Sequence, residues 1–168
     1  DVNSDIDIKR MGEPKLFWGV SGGSIDSMVS NYTATKKFRN DDDYTPGGKN
    51  NKRPDRATLV YTNLIRRYFK NTVPIVLGGI EASLRRLTHY DYWSNTLRKP
   101  ILFDSKADYM IYGMGEQAII DLGLYLKEGK DVRTIAGLCY ISKEPVKEYV
   151  QIPSHKECLD NKEKYIDL

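Results

Sequence analysis

Apolar positions along the chain gather into three short runs, and each passes at once through glycines into a segment with helical spacing. The clearest is Pro74-Ile75-Val76-Leu77, a run of branched residues of the kind buried on both faces of a parallel sheet. It continues through Gly78-Gly79 into Ile80, Leu84 and Leu87 at helical intervals. Residues 15–20 lead in the same way through Ser21-Gly22-Gly23-Ser24, and residues 107–112 through Gly113-Met114-Gly115-Glu116. Three strand–glycine–helix units predict an α/β fold, a three-layer sandwich on a parallel sheet with a ligand crevice at the strand C-termini. Glycines at that point bare the first amides of each helix, whose partial positive charge receives an anion or a polar ligand edge.

The intervening pattern completes one α/β domain over residues 1–168. Residues 5–11 read as a short helix or a tail. A helix over 24–35 takes Ser24 as its N-cap and turns Ile25, Met28, Val29 and Tyr32 to one face. Residues 36–53 form a long loop mixing lysines and arginines with Asp41, Asp42 and Asp43, either a solvated segment or a binding lid. Pro54 suits the first position of a helix that runs to about Lys70 and buries Leu59, Val60, Leu64 and Ile65. Residues 97–105 read as a connection with 101–103 extended, and 117–127 as a helix ended by Gly129. A hairpin of 137–141 with 146–152, turning at 142–145, and a polar helix over 154–168 complete the C-terminal part.

Composition narrows the function classes. A chain of 168 residues buries roughly 70% of its unfolded surface as one domain. The net charge of +3 is small and not one-sided, so nucleic acid is not an expected partner. Cys139 and Cys158 are too few for a disulfide framework or a cluster site, no metal site is expected in this chain, and a reducing cytoplasm is the natural compartment. No apolar run approaches the ~20 residues of a membrane span. The first strand follows a polar stretch without a start methionine and has no preceding βα unit, which predicts a fragment whose natural chain extends in both directions.

The chemistry-bearing candidates cluster at the glycine turns. Gly22, Gly23 and Ser24, then Gly78, Gly79, Glu81 and Ser83, then Gly113, Gly115 and Glu116 are the expected crevice residues, with His89 and Asp91 just beyond the second helix. His89 admits either ligand contact or a structural hydrogen bond with Asp91. Arg85 and Arg86 admit either an anionic ligand or an ion pair within the chain. Gly113 to Ala118 also fits the dinucleotide pattern G-x-G-x-x-A, but Glu116 stands where a pyrophosphate would approach a helix N-terminus. Three function classes follow: a ligand-shaping domain of an enzyme, an anion- or RNA-binding module using the basic loop, and an NAD-type domain using Gly113 to Ala118.

The long segment Gly78-Gly79-Ile80-Glu81-Ala82-Ser83-Leu84-Arg85-Arg86-Leu87-Thr88-His89-Tyr90-Asp91-Tyr92-Trp93-Ser94 resembles the signature of the YgiQ-type radical-SAM proteins. So do residues 40–48 with Arg53-Pro54-Asp55-Arg56-Ala57-Thr58, and Asp104-Ser105-Lys106-Ala107-Asp108 through Tyr112-Gly113-Met114-Gly115-Glu116. The resemblance covers about residues 12–168. It implies the N-terminal, flavodoxin- or cobalamin-binding-like α/β region of an Fe–S oxidoreductase of unknown substrate. The resemblance also implies that this piece lacks the family's first two strands, and an unpaired first strand carrying Phe17 and Trp18 would then favour self-association. The 4Fe–4S cluster and S-adenosylmethionine would belong to the parent's own radical-SAM domain, the expected partner, because the C-x-x-x-C-x-x-C motif is not in this sequence. No cofactor and no catalytic residue are therefore assigned here. With His89 and His155 as the only histidines, neither on a loop after a strand, tight corrinoid binding is not expected.

Overall fold

The computed structural model describes residues 5–146 and 148–168. Its centre is a four-stranded sheet of β1 (Trp18–Ser21), β2 (Ile75–Gly78), β5 (Tyr109–Ile111) and β6 (Leu138–Tyr140), in the order β1-β2-β5-β6. The first three run parallel, and β6 closes one edge antiparallel to β5. A separate hairpin pairs β3 (His89–Asp91) with β4 (Thr96–Arg98). The fold is thus the open, mostly parallel α/β sandwich that the hydrophobic pattern predicts.

The sandwich follows from the period of two along a strand. Ile75 and Leu77 of β2 join Val20 and Met110 on one face of the sheet, while Val76 joins Ile111 on the other. The first face is covered by α3 (Ala57–Tyr68), α4 (Gly79–Leu84) and α5 (Ile101–Ser105) through Ile65, Ala82, Ile101 and Leu102. The second is covered by α6 (Glu116–Glu128) and a 3-10 turn over Val132–Thr134, through Ala118, Leu122 and Val132. Trp18, at the edge, packs on Phe69 at 5.0 Å and donates its indole N–H to Thr72 Oγ1 at 2.7 Å.

Several elements differ from the sequence reading. Residues 6–9 form the one-turn helix α1 (Ile6–Lys9). The second helix, α2 (Ser27–Asn31), is capped by Asp26, whose Oδ1 accepts from the amides of Met28 and Val29, and Ser24 lies exposed in a bend before it. It stops at Asn31 because Tyr32 turns extended and bridges Phe38. The third begins at Ala57, three residues after Pro54, since Arg56 holds a left-handed backbone with φ of 51°. Of its expected core residues Ile65 is fully buried, and Leu59, Val60 and Leu64 are half-buried. Residues 101–105 are helical: the turn after Pro100 buries Ile101 and Leu102 together. The strand β6 pairs with β5, and among the described residues 146–152 form no strand. Residue 147 of that expected strand lies outside the described residues. The C-terminal part holds two short helices, α7 (His155–Asp160), with a Ser154/Glu157 capping box, and α8 (Glu163–Ile166). Among the described residues no helix is long and apolar enough to cross a membrane.

Candidate functional site

At the C-terminal ends of β1, β2 and β5, Ser21 and the second and third glycine turns line a crevice of about 420 Å³. Val20, Leu77, Ile111 and Ile119 make it apolar, and Gly78, Gly79, Gly113 and Gly115 bring bare backbone to its walls. Two of these glycines are demanded by their surroundings. Gly79 has φ of 79°, and a Cβ there would stand 2.7 Å from Ser21 Oγ. A Cβ on Gly115 would collide with Ile111 Cγ2. Gly115 caps α6 without a side-chain bond, so the first amides of that helix take no side-chain cap, and Glu116 stands beside them. Ser83 Oγ accepts the amide of Gly113 at 3.2 Å, joining the second turn to the third.

The remaining expected crevice residues lie elsewhere. Glu81 is 1% exposed. Its Oε2 accepts the Ser27 amide and its Oε1 the Thr58 amide, both at 3.0 Å, so one carboxyl group closes the N-termini of α2 and α3. Gly22 is buried against it: a Cβ would sit 2.5 Å from Glu81 Oε2. Gly23 is exposed with φ of 104° and gives its amide to Ser21 Oγ at 3.1 Å. Arg85 pairs with Asp26 and donates to the Glu81 carbonyl at 3.0 Å. Arg86 donates to the Ser83 carbonyl at 2.9 Å and lies 5.3 Å from the centre of the Tyr112 ring.

His89 and Asp91 line a second cavity, an aromatic groove between α2, α4 and the β3–β4 hairpin. The His89 Nδ1–H donates to the Leu87 carbonyl at 3.2 Å. Burial pushes its imidazole below the ordinary value, and the Arg85 and Arg98 guanidiniums add to the shift. Asp91 is held in an ion pair with Arg56 at 2.8 Å and accepts the Ser94 hydroxyl at 2.5 Å. Burial raises its affinity for a proton, but the Ser94 and Arg56 hydrogen bonds and charge outweigh burial and leave the carboxyl below its ordinary value.

The crevice has the concave, mostly apolar make-up of small-molecule pockets in general. It offers an apolar floor, amide donors and one carboxyl group, Glu116, and none of its residues forms a nucleophile–base pair. Val20, Ser21, Ile111 and Ile119 belong to it as much as the glycines do. Their signal in the sequence was position: Val20, Ser21 and Ile111 end β1 and β5, and Ile119 lies one turn into α6.

An open α/β domain with a crevice at the carboxyl edge of a mostly parallel sheet is the class these features define. The model of the family described as Radical SAM N-terminal matches residues 1–168, and the chain belongs to that family. It is 61% identical over 168 residues to a UPF0313 protein of Fusobacterium nucleatum, covering 99% of this chain and 30% of that protein. A UPF0313 protein of Thermotoga maritima is 51% identical over 170 residues, again with 99% of this chain and 30% of the relative covered. One of Clostridium botulinum is 49% identical over 170 residues, with 98% and 26% covered. The chain thus spans about a third or less of the length of the curated relatives it matches. No solved structure matches it.

The family name implies a 4Fe–4S cluster, toward which this chain offers two cysteines. Cys139 is half-buried on β6, where burial pushes its thiol up. Cys158 is buried on α7, its thiol directed to the Lys164 carbonyl at 3.8 Å. Among the described residues no three His, Cys, Asp or Glu side chains converge to hold a metal. A 4Fe–4S cluster takes Cys thiolates held close together, so the residues present do not fit one.

Proposed function

We propose that this domain shapes the substrate of a radical-SAM Fe–S oxidoreductase, holding part of it in the glycine-walled crevice over a site carried by the parent's radical-SAM domain. The observation that carries the reading is the crevice itself: an apolar floor under bare amides, on a chain of the radical-SAM N-terminal family. The cluster and S-adenosylmethionine belong to the rest of the parent, and no step of their chemistry passes through the residues described. The contribution of this chain is to desolvate the ligand, orient it by amide donors and place the Glu116 carboxyl group beside it. That combination suits a neutral or amine-bearing ligand, because Glu116 disfavours added negative charge. Next to the glycine turns in the chain Ile80, Tyr112 and Met114 are exposed, Met114 at 93%. These residues are the surface on which the radical-SAM domain would close.

The test uses the full-length protein with its cluster reconstituted. Reductant-driven cleavage of S-adenosylmethionine to 5′-deoxyadenosine needs no substrate, whereas its stimulation by the small-molecule fraction of the source cells does. Replacing Ile119→Trp fills the crevice from α6. The expected result is unchanged background cleavage with stimulation reduced about tenfold or more, the loss of roughly 1.4 kcal/mol of binding. Stimulation that survives the filled crevice would sink the reading, and so would the absence of any cleavage of S-adenosylmethionine.

A further inference from the structure

The aromatic groove has a volume of about 450 Å³ and is separate from the glycine crevice. Tyr32, Tyr90, Tyr92 and Trp93 line it, with Arg39 and His89. Tyr90 is 48% and Tyr92 51% exposed, an unusual outlay of aromatic surface for residues with no core role. The Lys36 ammonium lies 4.6 Å from the Tyr92 ring centre and 5.4 Å from that of Trp93, and it donates to the Trp93 carbonyl at 3.4 Å. Tyr32 packs on Trp93 at 4.5 Å.

Charge in the groove is lopsided, although the chain as a whole is nearly balanced. Both carboxyl groups on its wall are engaged, Asp26 by Arg85 and Asp91 by Arg56. Asp55, beside Tyr32, accepts from the Tyr32 hydroxyl and the Asn31 amide. Arg39 donates Nε to the Tyr32 carbonyl at 3.0 Å, and among the described residues neither it nor Lys36 has a carboxylate partner. Aromatic faces covered only by a mobile lysine stem, beside two cations without carboxylate partners, complement a planar ring joined to an anionic group.

We propose that this groove binds a nucleotide, its base laid on Tyr92 and Trp93 in the place Lys36 now holds, its phosphate taken by Lys36 and Arg39. Lys36 exchanges one favourable contact for another, leaving two ring faces for an anion within reach of its own flexible stem. The volume matches one nucleotide, since small-ligand sites run from about 300 to 1,000 Å³. The same chemistry is offered by a free mononucleotide and by one residue of a single-stranded RNA.

Trp93 provides the readout, because Trp18, the only other tryptophan, is packed away on Phe69. The 168-residue chain is titrated with AMP, with adenosine and with a single-stranded RNA hexamer, following tryptophan emission in wild type and in Trp93→Phe. AMP is expected to quench saturably, adenosine about tenfold more weakly, and Trp93→Phe to lose the signal. Arg39→Ala and Tyr92→Ala, both at exposed positions, are each expected to weaken AMP about tenfold while the circular dichroism stays that of wild type. A hexamer equal to AMP assigns the site to free nucleotide. A tighter hexamer whose affinity falls steeply with salt assigns it to an RNA strand. Equal quenching by AMP and adenosine, absence of saturable quenching, or indifference to Arg39→Ala overturns the proposal.

Discussion

Glu81 is where the fold is most exposed to a single substitution. Two amides, those of Ser27 and Thr58, reach its carboxyl oxygens at 3.0 Å, and the group is 1% exposed. Truncation to alanine strands both amides without water, at about 1–3 kcal/mol each. The sum of roughly 2–6 kcal/mol, before any cavity term, compares with a total stability of about 5–15 kcal/mol for a typical domain. Glu81→Ala is thus expected to approach unfolding, and Glu81→Gln is the better probe. Glutamine keeps the shape but has one acceptor oxygen, so its NH₂ must face one of the two amide donors. Losing that bond costs about 1–3 kcal/mol, and each kcal/mol lowers Tm by about 2–4 °C in a domain of this size. Urea unfolding followed by circular dichroism reads the loss as a lower midpoint at constant m. Hydrogen exchange should show faster exchange of the Ser27 or Thr58 amide. A Glu81→Gln variant within about 0.5 kcal/mol of wild type would refute the assignment of this side chain as the shared cap, since the orphaned amide alone costs more.

Gly115→Ala is expected to lose about 1–3 kcal/mol by overpacking against Ile111 Cγ2. A double-mutant cycle with Ile111→Ala should recover part of it, and strict additivity would contradict the collision. His89 has a folded pKa below its ordinary 6.5, so the unfolded chain binds the extra proton first. Its contribution to stability is complete above pH 6.5 and is lost as pH falls from there through the folded value. Melting of wild type and of His89→Asn, which keeps a donor for the Leu87 carbonyl, should diverge in that window, the variant being the less acid-sensitive. Parallel curves would count against burial as the cause.

The three strand–glycine–helix units were legible because local signals agree there: β2 is a run of branched residues, its turn needs Gly79 at positive φ, and α6 ends on Gly129 at φ of 67°. Elements whose form depends on distant partners were not. Ser24 and Asp26 are both good caps, and Asp26 prevails because Arg85, far along the chain, engages its second oxygen. The β3–β4 hairpin is hidden by its polar, aromatic turn, and its register shows only once His89 faces Arg98. Residues 101–103 have an extended composition, yet burying Ile101 and Leu102 under one sheet face requires a helical turn. At the site the same division holds. The glycine walls could be read one by one, whereas the withdrawal of Glu81 from the crevice could not. It depends on two helix starts, at Ser27 and Thr58, converging on one carboxyl group.

The bond from the Gly113 amide to Ser83 Oγ spans the two turns that face each other over the crevice. One exposed bond of this kind contributes about 0.5–1.5 kcal/mol, a modest tie that holds the second and third turns in register across the crevice. For the ligand proposed above, side-chain volume at Val20, Ile111 and Ile119 would set which shapes fit between these two turns.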